Sequence, residues 1–227
     1  PMHAVAQMQT RNGVDGDAFT AVSNPPVTTS STSYHYEQGW MSLDGQGFRG
    51  FTVVEQTDDT TGIVTRSEYD NTRPQVAGRP LRTTQKLADG RLISETLNTW
   101  VFDEYPFTNG AHTEKSYFTF SSESITRSFE VNAPVGSAPV RTSTVNNVDY
   151  DSFGNLLTST TTQGDFSETV VSTYTNDTTR WILGRLATSS VTKIGPNPAG
   201  AGTVSLTRSS SFAYHPTTGL LTQEVIE

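Results

Sequence analysis

Tyr150-Asp151-Ser152-Phe153-Gly154-Asn155-Leu156-Leu157 decides how this chain folds. An aspartate at the first corner of a turn accepts backbone N–H groups, and a glycine three residues later takes a positive φ without steric cost. Tyr150 closes the incoming strand, while Leu156 and Leu157 restart an outgoing one that buries apolar surface as soon as the chain has reversed. The phrase encodes a hairpin with a four-residue turn.

The same grammar returns with other spellings. Tyr214-His215-Pro216-Thr217-Thr218-Gly219-Leu220-Leu221 keeps the tyrosine, the glycine and the paired leucines, is one residue longer, and uses Pro216 to preset φ. Asp58-Asp59-Thr60-Thr61-Gly62-Ile63, Ala88-Asp89-Gly90-Arg91-Leu92 and Leu183-Gly184-Arg185-Leu186 each place a glycine just before an aliphatic restart. These glycines recur roughly every thirty residues, the length that two strands and two turns require. The expectation is an all-β fold, a strip of stacked antiparallel β-hairpins with little or no helix, continuous over residues 1–227.

Composition agrees. Only 33% of the residues are apolar, lean for a compact globule and suited to a sheet with wet faces. Abundant Thr and Ser favour extended backbone and polar cross-strand contacts. Residues 203–214 show the pattern: Val204, Leu206, Phe212 and Tyr214 share one parity, while Thr203, Ser205, Thr207, Ser209, Ser211 and Ala213 take the other. Further strands are expected at 48–57, 63–69, 92–102, 113–120, 124–131, 140–150, 156–162, 169–174 and 180–191. Residues 23–33, 132–139 and 195–202, with their Pro, Gly and Ser, read as loops.

Several functions are disfavoured. A net charge of -8 lacks the clustered Lys and Arg that nucleic acid requires, so no nucleic-acid partner is expected. The chain has no cysteine, hence neither disulfides nor thiolate sites. No stretch has the apolar length of a membrane-spanning helix, and no P-loop, dinucleotide fingerprint or nucleophile motif appears. No cofactor or metal is expected. Asp15 and Asp17 beside Asn12-Gly13 alternate like part of a calcium loop, yet lack its terminal glutamate, and a surface turn is the stronger reading. His3, His35, His112 and His215 are too scattered for a metal site. Asp103-Glu104, or Glu55 with Asp58, can be nominated as a hydrolytic carboxylate pair, but nothing in the sequence places either pair across a cleft. Asn176-Asp177-Thr178 has the form of a glycosylation sequon, frequent by chance in a Thr-rich chain. Aromatic residues are dense between Tyr34 and Phe120, where they serve packing first and a sugar-binding face only if several are exposed in a row.

A family resemblance is carried by particular words. They are Tyr34-His35-Tyr36-Glu37, then Asp44-Gly45-Gln46-Gly47-Phe48-Arg49-Gly50-Phe51 with Val54-Glu55, then Thr61-Gly62-Ile63-Val64-Thr65-Arg66 with Tyr69, then Gly78-Arg79-Pro80 and Leu97-Asn98-Thr99-Trp100. In order and spacing over residues 30–101 they resemble the Rhs/YD-repeat proteins, and most closely the segment shared by plasmid-virulence-type proteins and the B component of insecticidal Tc toxins. Looser YD-type repeats cover 102–227. The aspartic autoproteolysis core of toxin C components does not occur, and the chain reads as a cut from a longer one.

The resemblance implies a wall segment of a secreted or cell-surface bacterial shell, in which hairpins wind into a cocoon around a partly unfolded toxin polypeptide. Its partners would be neighbouring repeats of the same parent chain and that cargo. It would not be an enzyme. The alternatives are an adhesive module that binds cell-surface glycans and, more remotely, a polysaccharide-acting β-solenoid enzyme.

Overall fold

The computed structural model describes residues 4–12, 28–43, 45, 47–109 and 112–227. They form thirteen strands: β1 Gln7–Asn12, β2 Thr28–Ser42, β3 Gly47–Asp58, β4 Val64–Tyr69, β5 Pro80–Lys86, β6 Leu92–Asn109, β7 His112–Ser128, β8 Arg141–Tyr150, β9 Leu156–Gln163, β10 Phe166–Asp177, β11 Ile182–Pro196, β12 Thr203–Tyr214 and β13 Leu221–Ile226. All thirteen lie in one antiparallel sheet in chain order, so every connection is a hairpin, and no helix occurs among the described residues. The fold read from the Tyr-Asp-Gly-Leu phrase is the fold observed.

The contacts divide into two compact units, 1–97 with 128–140, and 98–127 with 141–227, so that β6 and β7 each contribute to both. Apolar burial is thin. Among the described residues only Val53 and Val76 are buried and apolar, joined by the polar Asn71, Thr84 and Glu95. Hydrophobic stabilisation is therefore spread over many half-buried side chains, and cross-strand pairs with the ladder hydrogen bonds carry the rest.

Several boundaries differ from the sequence reading, each for a physical reason. β2 begins at Thr28 inside a stretch expected to be loop, because Thr28–Ser33 pairs with β1 and Thr32 and Ser33 pair with Asp58 and Thr57. β5 begins on Pro80, a position that tolerates a missing N–H, and the proline had masked the strand. The segments expected at 113–120 and 124–131 are one strand, since the polar residues between them are satisfied: the Ser122 hydroxyl donates to the Thr99 carbonyl and the Asn147 amide to that of Ser121.

Two kinds of turn join the strands. Residues 87–91 and 151–155 share the four-residue form, in which the first residue's N–H donates to the fifth residue's carbonyl and the glycine N–H donates to the first carbonyl. The longer form, at 58–63 and 215–220, has an acceptor first and a left-handed glycine fifth. The Asp58 carboxylate accepts from the N–H groups of Thr60 and Thr61 at 2.8 and 3.3 Å, and His215 Nδ1 accepts from those of Thr217 and Thr218 at 3.3 and 3.2 Å. Gly62 and Gly219 then take φ of +69° and +71°.

The β10–β11 turn is a third copy of the longer form with one change. Asp177 accepts from Thr179 and Arg180 at 3.1 and 3.0 Å, but the left-handed seat holds Trp181, at φ +58°. Gly184, expected at this corner, lies inside β11 instead, at φ +72° beside a register irregularity between Thr175 and Asp177. A left-handed L-residue costs about 1–2 kcal/mol, and Trp181 recovers little of it by burial because it is 74% exposed. Trp181→Gly should therefore raise the stability of unit 2 by about 0.5–1 kcal/mol, after the entropy that glycine adds to the unfolded chain, read as a higher urea midpoint.

Candidate functional surface

In unit 2 the hairpin corners lock to one another, with Asp151 as the centre of the lock. One carboxylate oxygen accepts from the Phe153 and Asn155 backbone N–H groups, both at 2.9 Å. The other accepts the Asn155 and Asn176 side-chain amides at 2.9 and 3.0 Å. Asn176 passes the link on, its Oδ1 accepting from the Gly184 N–H at 2.7 Å. Consecutive corners are thus joined through one carboxylate, and the amide of the apparent sequon is committed to that join. Arg180 donates to the Pro216 carbonyl, tying the next corner in the same way.

Burial pushes the Asp151 carboxyl up, but the hydrogen bonds from Asn155, Phe153 and Asn176 outweigh it and hold the group below the ordinary aspartate range. A depressed native value means stability that is fully present above the unfolded value near ~4 and is lost as pH falls through the native one. Asp151→Asn should therefore flatten the acid limb of a melting-temperature profile below pH ~4 while lowering the plateau at neutral pH, because its amide nitrogen cannot accept from Asn155 and Asn176.

Aromatic residues close the other side of these corners. Tyr150 packs on Phe120 and Phe118 at 4.4 and 5.4 Å between ring centroids, and burial raises its hydroxyl above the ordinary range. A Cβ on Gly154 would lie 2.8 Å from Phe118 Cε2. Tyr214 donates to the Leu186 carbonyl at 2.9 Å and carries the Arg185 guanidinium 5.4 Å from its ring centroid. Leu156 is half-buried, whereas Leu220, the last residue of its turn, is 69% exposed.

In unit 1 the words Gly50-Phe51 and Gly78 meet around a residue that no pattern flagged. Asn71 is 1% exposed, its amide donates to the Phe51 carbonyl at 2.7 Å, and its Oδ1 accepts from the Gly78 N–H at 3.1 Å. Gly50, at φ +107°, leaves room for it: a Cβ there would sit 3.4 Å from Asn71 Nδ2. Phe51 packs edge-to-face with Phe48 at 5.1 Å and tilted on Tyr36 at 4.6 Å, and Phe48 and Phe51 lie against Gly39. Successive corners touch here too: a Cβ on Gly62 would meet that of Ala88 at 2.8 Å, and Arg91, paired with Asp89, donates to the Val131 carbonyl at 2.6 Å. Gly90 is left-handed with open space around it, and Leu92 begins β6. In unit 2, Asn98 accepts from the Ser124 hydroxyl at 2.8 Å, and Trp100 is half-buried in β6.

Three of the four nominated carboxylates are engaged in structure, and the fourth, Asp103, is exposed in β6. Glu55 lies 3.6 Å from Arg66, which also bridges Glu37 and Glu68 at 3.0 and 3.3 Å; Asp58 caps its turn; Glu104 pairs with Lys115 at 2.7 Å. Among the described residues no three His, Cys, Asp or Glu side chains converge as metal ligands would. Asp15, Asp17, His3 and the His112 side chain lie outside the described residues.

An extended hydroxyl grid lies on one face of β9–β12. Register places Thr158, Val171, Ser190 and Ser209 in one row, Thr160, Thr169, Thr192 and Thr207 in the next, and Thr162, Ser167, Ile194 and Ser205 in the third. Directly opposed threonines bond to each other, Thr160 to Thr169 at 3.2 Å and Thr192 to Thr207 at 2.8 Å. The opposite face of the same strands carries Val170, Val191, Arg208, Glu168, Lys193, Leu206 and Phe166. The two bonded threonine pairs of the middle row engage each other, and the small hydroxyls around them make the face wet.

The hairpin strip in chain order, cornered by capped left-handed turns and lacking a concentrated core, has counterparts among known proteins. Residues 1–77 match the family described as the insecticide toxin TcdB middle/N-terminal region, a match that stops just short of the Gly78 word. Solved structures share the fold: TcdB2-TccC3 at TM-score 0.68 and 14% identity over 85% of this chain, and TcdB2-TccC3-Cdc42 at 0.67 and 13% over 85%. TcdB2-TccC3 without its hypervariable C-terminal region aligns at 0.67 and 14% over 86%. This chain spans only 14–15% of the length of those solved chains. Among curated proteins, none matches it.

Proposed function

We propose that this chain is a wall segment of a Tc-type toxin shell, acting by containment and not by turnover, with neighbouring repeats and an enclosed toxin polypeptide as its partners in an extracellular toxin complex. The observation that carries this reading is the hydroxyl grid: ten of its twelve positions are Ser or Thr. A face of small hydroxyls, interrupted only by Val171 and Ile194, lies against an unfolded polypeptide with few apolar anchors to hold it fast, and it keeps backbone groups of that polypeptide hydrated. The similarity of fold to TcdB2-TccC3 complexes supports the same reading.

Photo-crosslinking tests it in the full-length protein assembled with its toxin polypeptide. A benzophenone side chain at Thr169 or Thr192, in the middle row of the grid, should crosslink to the toxin, and one at Val170 or Val191, on the other face, should not. Equal crosslinking from both faces, or none from the grid, would contradict the assignment of the hydroxyl face to the cargo.

A further inference from the structure

We propose that the free end of the β9–β10 hairpin is a saccharide-binding site built on Phe166, which takes a neutral pyranose with equatorial hydroxyls. This goes beyond containment and does not depend on it. Phe166 is 61% exposed, yet its ring is not loose. A Cβ on Gly195 would fall 2.8 and 2.9 Å from Phe166 Cδ1 and Cε1, so the Cδ1–Cε1 side of the ring rests against the glycine of β11 while most of the side chain stays open to solvent. Any side chain at 195 would lift the ring away.

The ring forms part of an open depression of ≈ 270 Å³ whose other walls include Thr161, Gln163, Glu168 and Lys193. Register sets these polar groups beside the ring on the same face: Gln163 is opposite Phe166, and Thr161, Glu168 and Lys193 form the adjoining row. Glu168 and Lys193 pair at 2.9 Å, and Gln163 Oε1 accepts from Arg141. These contacts orient the groups and still leave capacity. The carboxylate keeps a second oxygen, the ammonium two protons, and the glutamine its amide N–H groups.

An aromatic face bordered by a fixed carboxylate, ammonium and amide is complementary to a sugar. The axial C–H groups of a β-gluco-configured ring lie on the π-face, and its equatorial vicinal hydroxyls bridge an acceptor and a donor. The paired charges cancel, which favours a neutral sugar over an anionic one. Val204, opposite Gly195, and Leu206, opposite Lys193, extend the apolar floor by one strand and are 47% and 58% exposed. That gives a second ring of an oligosaccharide a place to lie.

Titration of the full-length protein with cellotetraose, followed by saturation-transfer NMR, tests the site. Binding is expected with millimolar affinity, weakened at least tenfold by Phe166→Ala, retained by Phe166→Tyr, and reduced by Lys193→Ala. Trp181→Ala removes the most exposed aromatic elsewhere in the unit and should change nothing. Amide exchange in β9 and β10 should be the same in wild type and Phe166→Ala, which separates loss of the platform from loss of fold. Absence of cellotetraose binding in the wild type, binding that survives Phe166→Ala, or binding lost with Trp181 would each overturn the proposal.

Discussion

Replacing Asn71 with alanine is expected to destabilise unit 1 by about 2–4 kcal/mol, a large effect for one residue on a loop. The side chain is 1% exposed and holds two backbone groups, the Phe51 carbonyl at 2.7 Å and the Gly78 N–H at 3.1 Å. Alanine leaves both without partners in a place that water does not reach freely, and each unsatisfied group costs about 1–3 kcal/mol. Asn71→Asp should be at least as damaging, because a carboxylate cannot donate to the Phe51 carbonyl and faces it with negative charge. Urea unfolding gives the magnitude, and amide exchange at Gly78 gives the location. Wild-type exchange at Gly78 in the alanine variant would show that the bond does not hold the loop.

Gly154→Ala should cost unit 2 a comparable amount, about 2–4 kcal/mol, from two sources that a control can separate. The residue sits at φ +84°, where a Cβ costs about 1–2 kcal/mol, and that Cβ would come within 2.8 Å of Phe118 Cε2. Phe118 cannot easily yield, since it is wedged against Phe120 and Tyr150 at 5.4 Å from each. Overpacking of this sort adds about 1–3 kcal/mol. Gly164, in the same unit, is also left-handed, at φ +56°, but has nothing within 4 Å of the site of its Cβ. Gly164→Ala should therefore show the backbone cost alone. Equal losses in the two variants would mean that Gly154 is needed only for its φ and not for the stacking of Phe118 on the corner.

Those two glycines mark what could be read in the sequence and what could not. The corners at 58–63, 151–155 and 215–220 announce themselves because an acceptor, a glycine and an aliphatic residue lie within six positions, and local chemistry fixes the turn. The β10–β11 corner hid because Trp181 fills the glycine's seat, so the eye moves on to Gly184, which serves a register irregularity instead. β5 hid behind Pro80, and the start of β2 behind a Ser/Thr run, because strand pairing is settled by partners far away in sequence and not by the strand's own residues. The alternation in β12 was visible in advance, but its extension into a grid needs the register of four strands, which no single strand encodes. Asn71 left no signal and Gly195 read as the start of a loop, although β11 runs on to Pro196: one polar residue in a loop and one glycine near a strand end take their meaning only from what folds against them.

The most direct test of the account is a cryo-EM map of the full-length protein with its toxin polypeptide in place. A shell wall predicts that β9–β12 stand as a single layer with Thr160, Thr169, Thr192 and Thr207 facing an enclosed volume that contains weak polypeptide density. A map in which that face is covered by a second folded layer, or looks outward to bulk solvent, would contradict it.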